Sequence, residues 1–346
     1  MAVAAEAVDN LGRDIPSLFM PDMITFSKSS LMTSLKRFFP FANCCRWVCL
    51  LALGLPSLVS AADSGKTFAT PEEAVAALVA AASAKDTNAF RVIFGPVGAE
   101  IQNPDRVQAA NELSAFNVAV SQQQRIVPES ETKCVLEIGT NAWPFPVPIV
   151  KRNGAWFFDT EAGKDEILNR HIGKNELATL QSVRAYVEAQ REYASKDRDG
   201  DEVLEYAQKF LSTPGTKDGL YWPPDLAGEL SPLGPLVARA QTQGYLAKLR
   251  EAGAAPEPYN GYFFKILTCQ GQHAPGGKYD YIINGNMIGG FALVAWPAEY
   301  GKSGIMTFIV NQQGRVYQKD LGENTARTAQ KMRAYDADRS WGASPD

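Results

Sequence analysis

Residues 259–321 read YNGYFFKILTCQGQHAPGGKYDYIINGNMIGGFALVAWPAEYGKSGIMTFIVNQQGRVYQKDL, and the patterning of this stretch decides the fold. Three apolar, β-rich runs, at 262–268, 291–296 and 304–310, are separated by clusters of Gly, Pro and Asn. That punctuation is the mark of an antiparallel meander. A shorter fourth run, 316–319, follows the turn Gln312-Gln313-Gly314. No catalytic or cofactor motif lies within it.

Upstream, the spacing of Leu177, Leu180, Val183, Tyr186 and Val187 predicts a long helix over 176–194. A charged, Gly-punctuated stretch at 163–175 reads as the connector into that helix. Between helix and meander the chain is dense in Pro and Gly, with Leu220, Tyr221 and Trp222 as anchors, and 246–253 reads as a charged insertion.

The first half has its own signals. Thr70-Pro71-Glu72-Glu73 forms an N-cap, an N1 proline and a capping box ahead of an apolar helical face. Two further helices are expected near 87–94 and 105–123. Strand patterns follow at 133–138, 144–151 and 155–159, and Asn153-Gly154 between two β runs is a strong hairpin signal. Trp143, Trp156 and Phe158 either line a pocket in this half or serve as its core aromatics.

At the N-terminus, Lys36-Arg37 and Arg46 flank the apolar run 47–55, and Val59-Ser60-Ala61-Ala62 supplies small residues. A basic region, a short apolar core and a small-residue site describe a secretory signal peptide cleaved near Ala61 or Ala62. The expectation is an exported protein, periplasmic or secreted, with no integral membrane span in the mature chain. Removing the signal removes Cys44, Cys45 and Cys49. Cys134 and Cys269 stay, either as a disulfide in an oxidising compartment or as two free thiols on strands.

Composition narrows the functional classes. A net charge of −4 without a basic run argues against a nucleic-acid partner. Only two histidines, His171 and His273, occur in the chain, which weakens any histidine-based triad or zinc site. Neither a Gly-x-Ser-x-Gly elbow nor a His-Glu-x-x-His helix is present. The carboxylate pairs open to a hydrolase are Asp159 with Glu161 and Asp280 with Glu299. Asp197, Asp199 and Asp201 make the one metal-like cluster, a calcium candidate, although Gly200 comes too early for an EF-hand loop. A solvated acidic turn is the other reading. Around the Gly-rich loops 273–278 and 284–290, Tyr279, Tyr281, Trp296 and Tyr300 offer a rim on which a sugar or peptide would stack. Glycine serves tight turns there equally well.

Several long strings carry a family resemblance: WPFPVPIVKRNGAWFFDTEAGKDEILNRHIGKNEL, STPGTKDGLYWP, SPLGPL and GGFALVAWPAEYGKSGIMTFIVNQQGRVYQKDLG. The chain resembles the bacterial exported family DUF2950, a domain of unknown function, over about 68–321. That resemblance implies no activity, and the family pattern carries Arg where His171 stands. More loosely, the second half resembles the globular heads of type IV pilins and pseudopilins, and the first half resembles the cystatin-like (nuclear-transport-factor-like) cone. A pilin needs an apolar half-helix, and the segment before Glu176 is charged, so the likeness implies a soluble pilin-like head.

The expected fold class is α+β: N-terminal helices with a curved antiparallel sheet, then a long helix on a C-terminal antiparallel meander. The expected segments are an extension and signal at 1–62, a cone-like domain at 63–172, a pilin-like domain at 173–325 and a polar tail at 326–346. The function read from this is a non-enzymatic envelope binding or assembly factor, with envelope proteins or glycans as partners. A secreted hydrolase using a carboxylate pair and a small-ligand binder are the alternatives.

Overall fold

Local capping sets the first three helices of the described residues. A computed structural model describes residues 65–198, 200–224, 228–245 and 257–345. The signal reading at 1–62 and the insertion at 246–253 lie outside those residues. Helix α1 (Pro71–Ala84) begins where the Thr70 hydroxyl accepts from the Glu73 N–H at 3.2 Å and Glu73 Oε2 accepts from the Ala69 N–H at 3.0 Å. Helix α2 (Thr87–Phe94) is capped by Asp86 and α3 (Arg106–Gln122) by Asp105. Each carboxylate receives two backbone N–H groups otherwise orphaned in a first turn.

Strands β1 (Gln124–Ser130), β2 (Lys133–Ile138), β3 (Trp143–Pro144), β4 (Ile149–Arg152) and β5 (Ala155–Phe158) form an antiparallel sheet ordered β1-β2-β4-β5, with β3 paired to β2. Asn153 and Gly154 sit at φ 53 and 83, so the β4–β5 hairpin closes as the Asn-Gly pair predicts. Phe68, Leu78, Ile93, Leu136, Ile149, Trp156 and Phe158 fill the space between helices and sheet. The Phe158 ring lies tilted against Phe94 at 5.5 Å and edge-on to Phe145 at 6.1 Å between centroids. Trp156 and Phe158 are therefore core residues. Trp143 is half-buried beneath the Arg170 guanidinium, 4.9 Å from its ring.

Helix α4 (Thr160–Tyr193) is 34 residues long, about 50 Å at 1.5 Å per residue. It starts well before the expected 176, so the charged stretch is helix and not connector. Asp159 caps it, Glu166 and Arg170 pair one turn apart at 2.7 Å, and Gly163 lies against the Pro146–Val147 backbone. A Cβ at Gly163 would stand 2.9 Å from the Pro146 carbonyl oxygen, so glycine there permits close packing. The boundary expected at 172 falls inside this helix.

Further along come α5 (Gly234–Thr242), β6 (Tyr262–Leu267), β7 (Cys269–Gln270), β8 (Tyr279–Asp280), β9 (Ile282–Ile283), β10 (Asn286–Met287), β11 (Ala292–Pro297), β12 (Met306–Asn311) and β13 (Tyr317–Asp320). The meander is antiparallel in the order β6-β11-β12-β13. All six residues of β11 are buried, so both faces of the sheet are covered. Helix α4 packs on β11 and β12 through the cluster of Leu180, Val183, Tyr186 and Val187.

The C-terminal residues correct the polar-tail expectation. Helix α6 (Thr325–Lys331) packs on β11, β14 (Ala334–Tyr335) pairs in parallel with β7, and β15 (Gly342–Ala343) adds to β13. Tyr335 is fully buried. The composition is polar, but two short ladders and α6 tie it to the sheet.

Residues 63–346 form one compact unit containing both hydrophobic clusters. A buried polar seam joins them. Asp105 Oδ2 accepts from the Tyr245 hydroxyl at 2.8 Å and the Gly261 N–H at 3.0 Å, while Gln108 Nε2 donates to Asn175 Oδ1 at 2.7 Å. Asn175 Nδ2 then donates to the Ser303 carbonyl, and Glu176 Oε1 receives the Ile305 and Met306 N–H groups. With Asp105 2%, Asn175 1% and Ser303 0% exposed, these polar groups are buried and matched in hydrogen bonds, as burial of polar groups requires.

Candidate binding groove

Strand β6 places a lysine in the middle of an aromatic and aliphatic run, and the reason is visible at the end of α6. Lys265 Nζ donates to the Gln330 carbonyl at 2.7 Å and the Met332 carbonyl at 2.6 Å. It thereby satisfies carbonyls that a terminating helix leaves open, and its charge opposes the negative end of the helix dipole. Burial, and secondarily the neighbouring Arg333 guanidinium, hold the Lys265 pKa below the usual lysine value.

Beside this docking lies an open groove of about 740 Å³ lined by Lys265, Ile266, Thr268, Gln330, Lys331 and Arg333. Among the described residues, three cations and no carboxylate line it. Lys331 and Arg333 are exposed and make no ion pair among the described residues. The Cys269 thiol donates to the Arg333 carbonyl at 3.4 Å, and β14 follows at once, so the Arg333 backbone is anchored on both sides. Chemically the groove offers positive charge, a threonine hydroxyl and a glutamine amide, groups suited to carboxylate or phosphate oxygens.

The residues singled out from sequence do not gather at this groove. Tyr281 is fully buried and its hydroxyl donates to Gln270 Oε1 at 3.1 Å. Trp296 is 6% exposed and packs against Phe263 with ring centroids 5.9 Å apart. Tyr279 is half-buried edge-on to Tyr281, and the Tyr300 hydroxyl donates to Asp320 Oδ2 at 3.2 Å. Buried Gln270 holds the Gly-rich loop from beneath, its Nε2 donating to the Pro275 and Gly277 carbonyls at 2.7 Å each. Gly276 and Gly277 take φ of 88 and 77, a conformation that turns need.

Asp197 accepts from the Gly200 and Glu202 N–H groups, and Asp201 accepts from the Val203 N–H and the Asn286 amide. Asp199 lies outside the described residues. Among those described, no three His, Cys, Asp or Glu side chains are grouped to hold a metal ion. Cys134 and Cys269 do not pair: both are free, Cys134 buried in the first cluster and Cys269 half-buried on β7. Burial raises both thiol pKa values.

Asp159 is the cap of α4, Asp280 lies on β8, and Glu299 pairs with Lys302 at 3.1 Å. His171 Nε2 lies 3.4 Å from Glu112 Oε2, and His273 Nδ1 lies 3.0 Å from Asp336 Oδ2. Sequence reasoning missed Lys265, Lys331 and Arg333 as a group. The one available signal was a charged residue inside an apolar strand run, which asks what balances it.

Among the described residues, no helix is long and apolar enough to cross a membrane. The family model described as "Protein of unknown function (DUF2950)" matches residues 65–343. No curated protein and no solved structure matches the chain.

Proposed function

Because the chain belongs to the DUF2950 family of proteins of unknown function, we propose its role from the groove: an exported, non-enzymatic binding protein for ligands that present carboxylates or comparable anionic groups. The observation that carries the reading is the lining itself, with Lys265, Lys331 and Arg333 all on one open groove that has no acidic residue in its wall among the described residues. An anion entering there meets two cations free of ion pairs among the described residues, so it displaces no existing partner. Export is supported by the basic, apolar and small-residue pattern at 36–62.

Calorimetric titration of the intact protein with citrate and with oligoglutamate tests the binding reading. Saturable binding that falls at least tenfold in a Lys331→Ala/Arg333→Ala variant supports it. Binding unaltered in that variant, or none at any concentration, overturns it. N-terminal sequencing of protein recovered outside the cytoplasm tests export, with a mature start near Ala62 or Asp63 expected.

A further inference from the structure

The groove runs along a sheet edge, and the hydrogen bonding of that edge specifies the ligand further. Among the described residues, strand β6 is the terminal strand of its sheet and pairs with β11 alone. The Ala298 N–H donates to the Gly261 carbonyl at 2.9 Å, and β6–β11 register then runs from Tyr262 opposite Pro297 to Leu267 opposite Ala292. In an antiparallel ladder, alternate residues aim both backbone groups at the same neighbour. Phe263, Lys265 and Leu267 therefore address β11, and Tyr262, Phe264 and Ile266 address the open side. Pro297, which has no N–H, stands opposite Tyr262, as this phase demands.

Two of the outward positions are filled. Tyr262 exchanges backbone hydrogen bonds with Tyr259 at 3.1 and 2.9 Å, and the Thr268 carbonyl accepts from the Tyr281 N–H at 2.8 Å. Between them, the N–H and C=O groups of Phe264 and Ile266 have no partner among the described residues. An edge gap of this kind is a template for another strand.

Resting on the anion-binding reading above, we infer that the ligand is a short extended acidic peptide segment that adds as a strand beside β6 at Phe264–Ile266. Side chains of paired strands share faces in alternation. Residues of the added segment on the Lys265 side would place carboxylates toward Lys265, Lys331 and Arg333. Residues between them would lie beside Phe264 and Ile266, both half-buried. Backbone pairing supplies affinity and the cations supply selectivity for acidic segments.

The test uses a fluorescent, capped pentapeptide in which glutamate alternates with valine, titrated into the intact protein and read by anisotropy. Two further probes carry N-methyl groups on the valines only or on the glutamates only, since just one phase can face β6. Strand addition predicts at least tenfold weaker binding for one methylated peptide and retained binding for the other. A Phe264→Pro variant, which removes one outward N–H and keeps every charge and every residue that lines the groove, should weaken the unmethylated peptide and leave citrate binding intact. Equal affinity for all three peptides, or equal loss in both methylated ones, overturns strand addition and leaves the groove reading standing. Failure of citrate and of every peptide to bind overturns both.

Discussion

Gln108 Nε2 donates to Asn175 Oδ1 at 2.7 Å, linking the third helix of the first cluster to the helix that continues into the second. Both side chains are nearly inaccessible, and Asn175 passes the connection on to the Ser303 carbonyl at 2.9 Å. Removing a buried partner leaves the others desolvated and unmatched, which costs more than the hydrogen bond contributes. Asn175→Ala should therefore lose roughly 2–4 kcal/mol in urea unfolding, in one transition followed equally by near-UV and far-UV circular dichroism. Two separated transitions would show that the seam does not couple the clusters.

Glu112 gives a pH signature. Burial raises its pKa, but the hydrogen bond with His171 and the Lys174 ammonium at 3.0 Å outweigh burial and bring it to about 2. A carboxylate depressed in the folded state stabilises the protein above its unfolded pKa and loses that contribution as pH falls through the folded value. The window is thus from about pH 4.5 down to about 2. A quarter of the side chain is exposed, so the contribution is roughly 1–3 kcal/mol after screening. Glu112→Gln should be less stable at neutral pH and show a shallower acid decline across that window, measured as urea midpoints. Parallel wild-type and variant curves would contradict this.

Arg198 is the buried cation of the loop region, with only 4% of its side chain exposed. Its guanidinium lies 5.2 Å from the Trp222 ring and 5.6 Å from the Tyr193 ring, and donates to Glu229 at 2.5 Å. A planar cation that stacks and donates in a fixed fork is not replaced by an ammonium. Arg198→Ala is expected to cost roughly 1–3 kcal/mol, with Arg198→Lys recovering less than half. Full recovery by lysine would mean that charge alone matters.

The two free thiols differ in access. Cys134 is 5% exposed inside the first cluster, while Cys269 is half-buried on β7. Brief alkylation of the native protein followed by peptide mass spectrometry should label Cys269 faster than Cys134, and unfolding should make both reactive. Reductant should leave the midpoint unchanged. A reductant-dependent midpoint would reveal a disulfide between them.

Much of the architecture was legible because its signals are local. Thr70-Pro71 and Glu73 announce α1, Asn153-Gly154 closes a hairpin, and the Gly and Pro clusters separate the meander strands in the order in which they pair. The first half of α4 was not legible. Glu161, Asp165, Glu166 and Lys174 are exposed, and what fixes Gly163 is the Pro146–Val147 backbone, a contact that helical periodicity does not encode. Strands β14 and β15 escaped for a related reason: each is two residues long and pairs with a distant segment. The aromatic candidates were chosen by type, and burial reassigns Tyr281 and Trp296 to the core. The groove was hidden because its cations come from position 265 and from 331 and 333, brought together by α6 docking.

The central claim, that this groove captures acidic ligands, is tested most directly by anisotropy titration of the glutamate–valine pentapeptide. Wild type and Lys331→Ala/Arg333→Ala protein are compared at low and high salt. The account predicts saturable binding by wild type, weakened by salt and at least tenfold weaker in the variant. Identical isotherms for the two proteins, or no saturation by wild type at low salt, would contradict it.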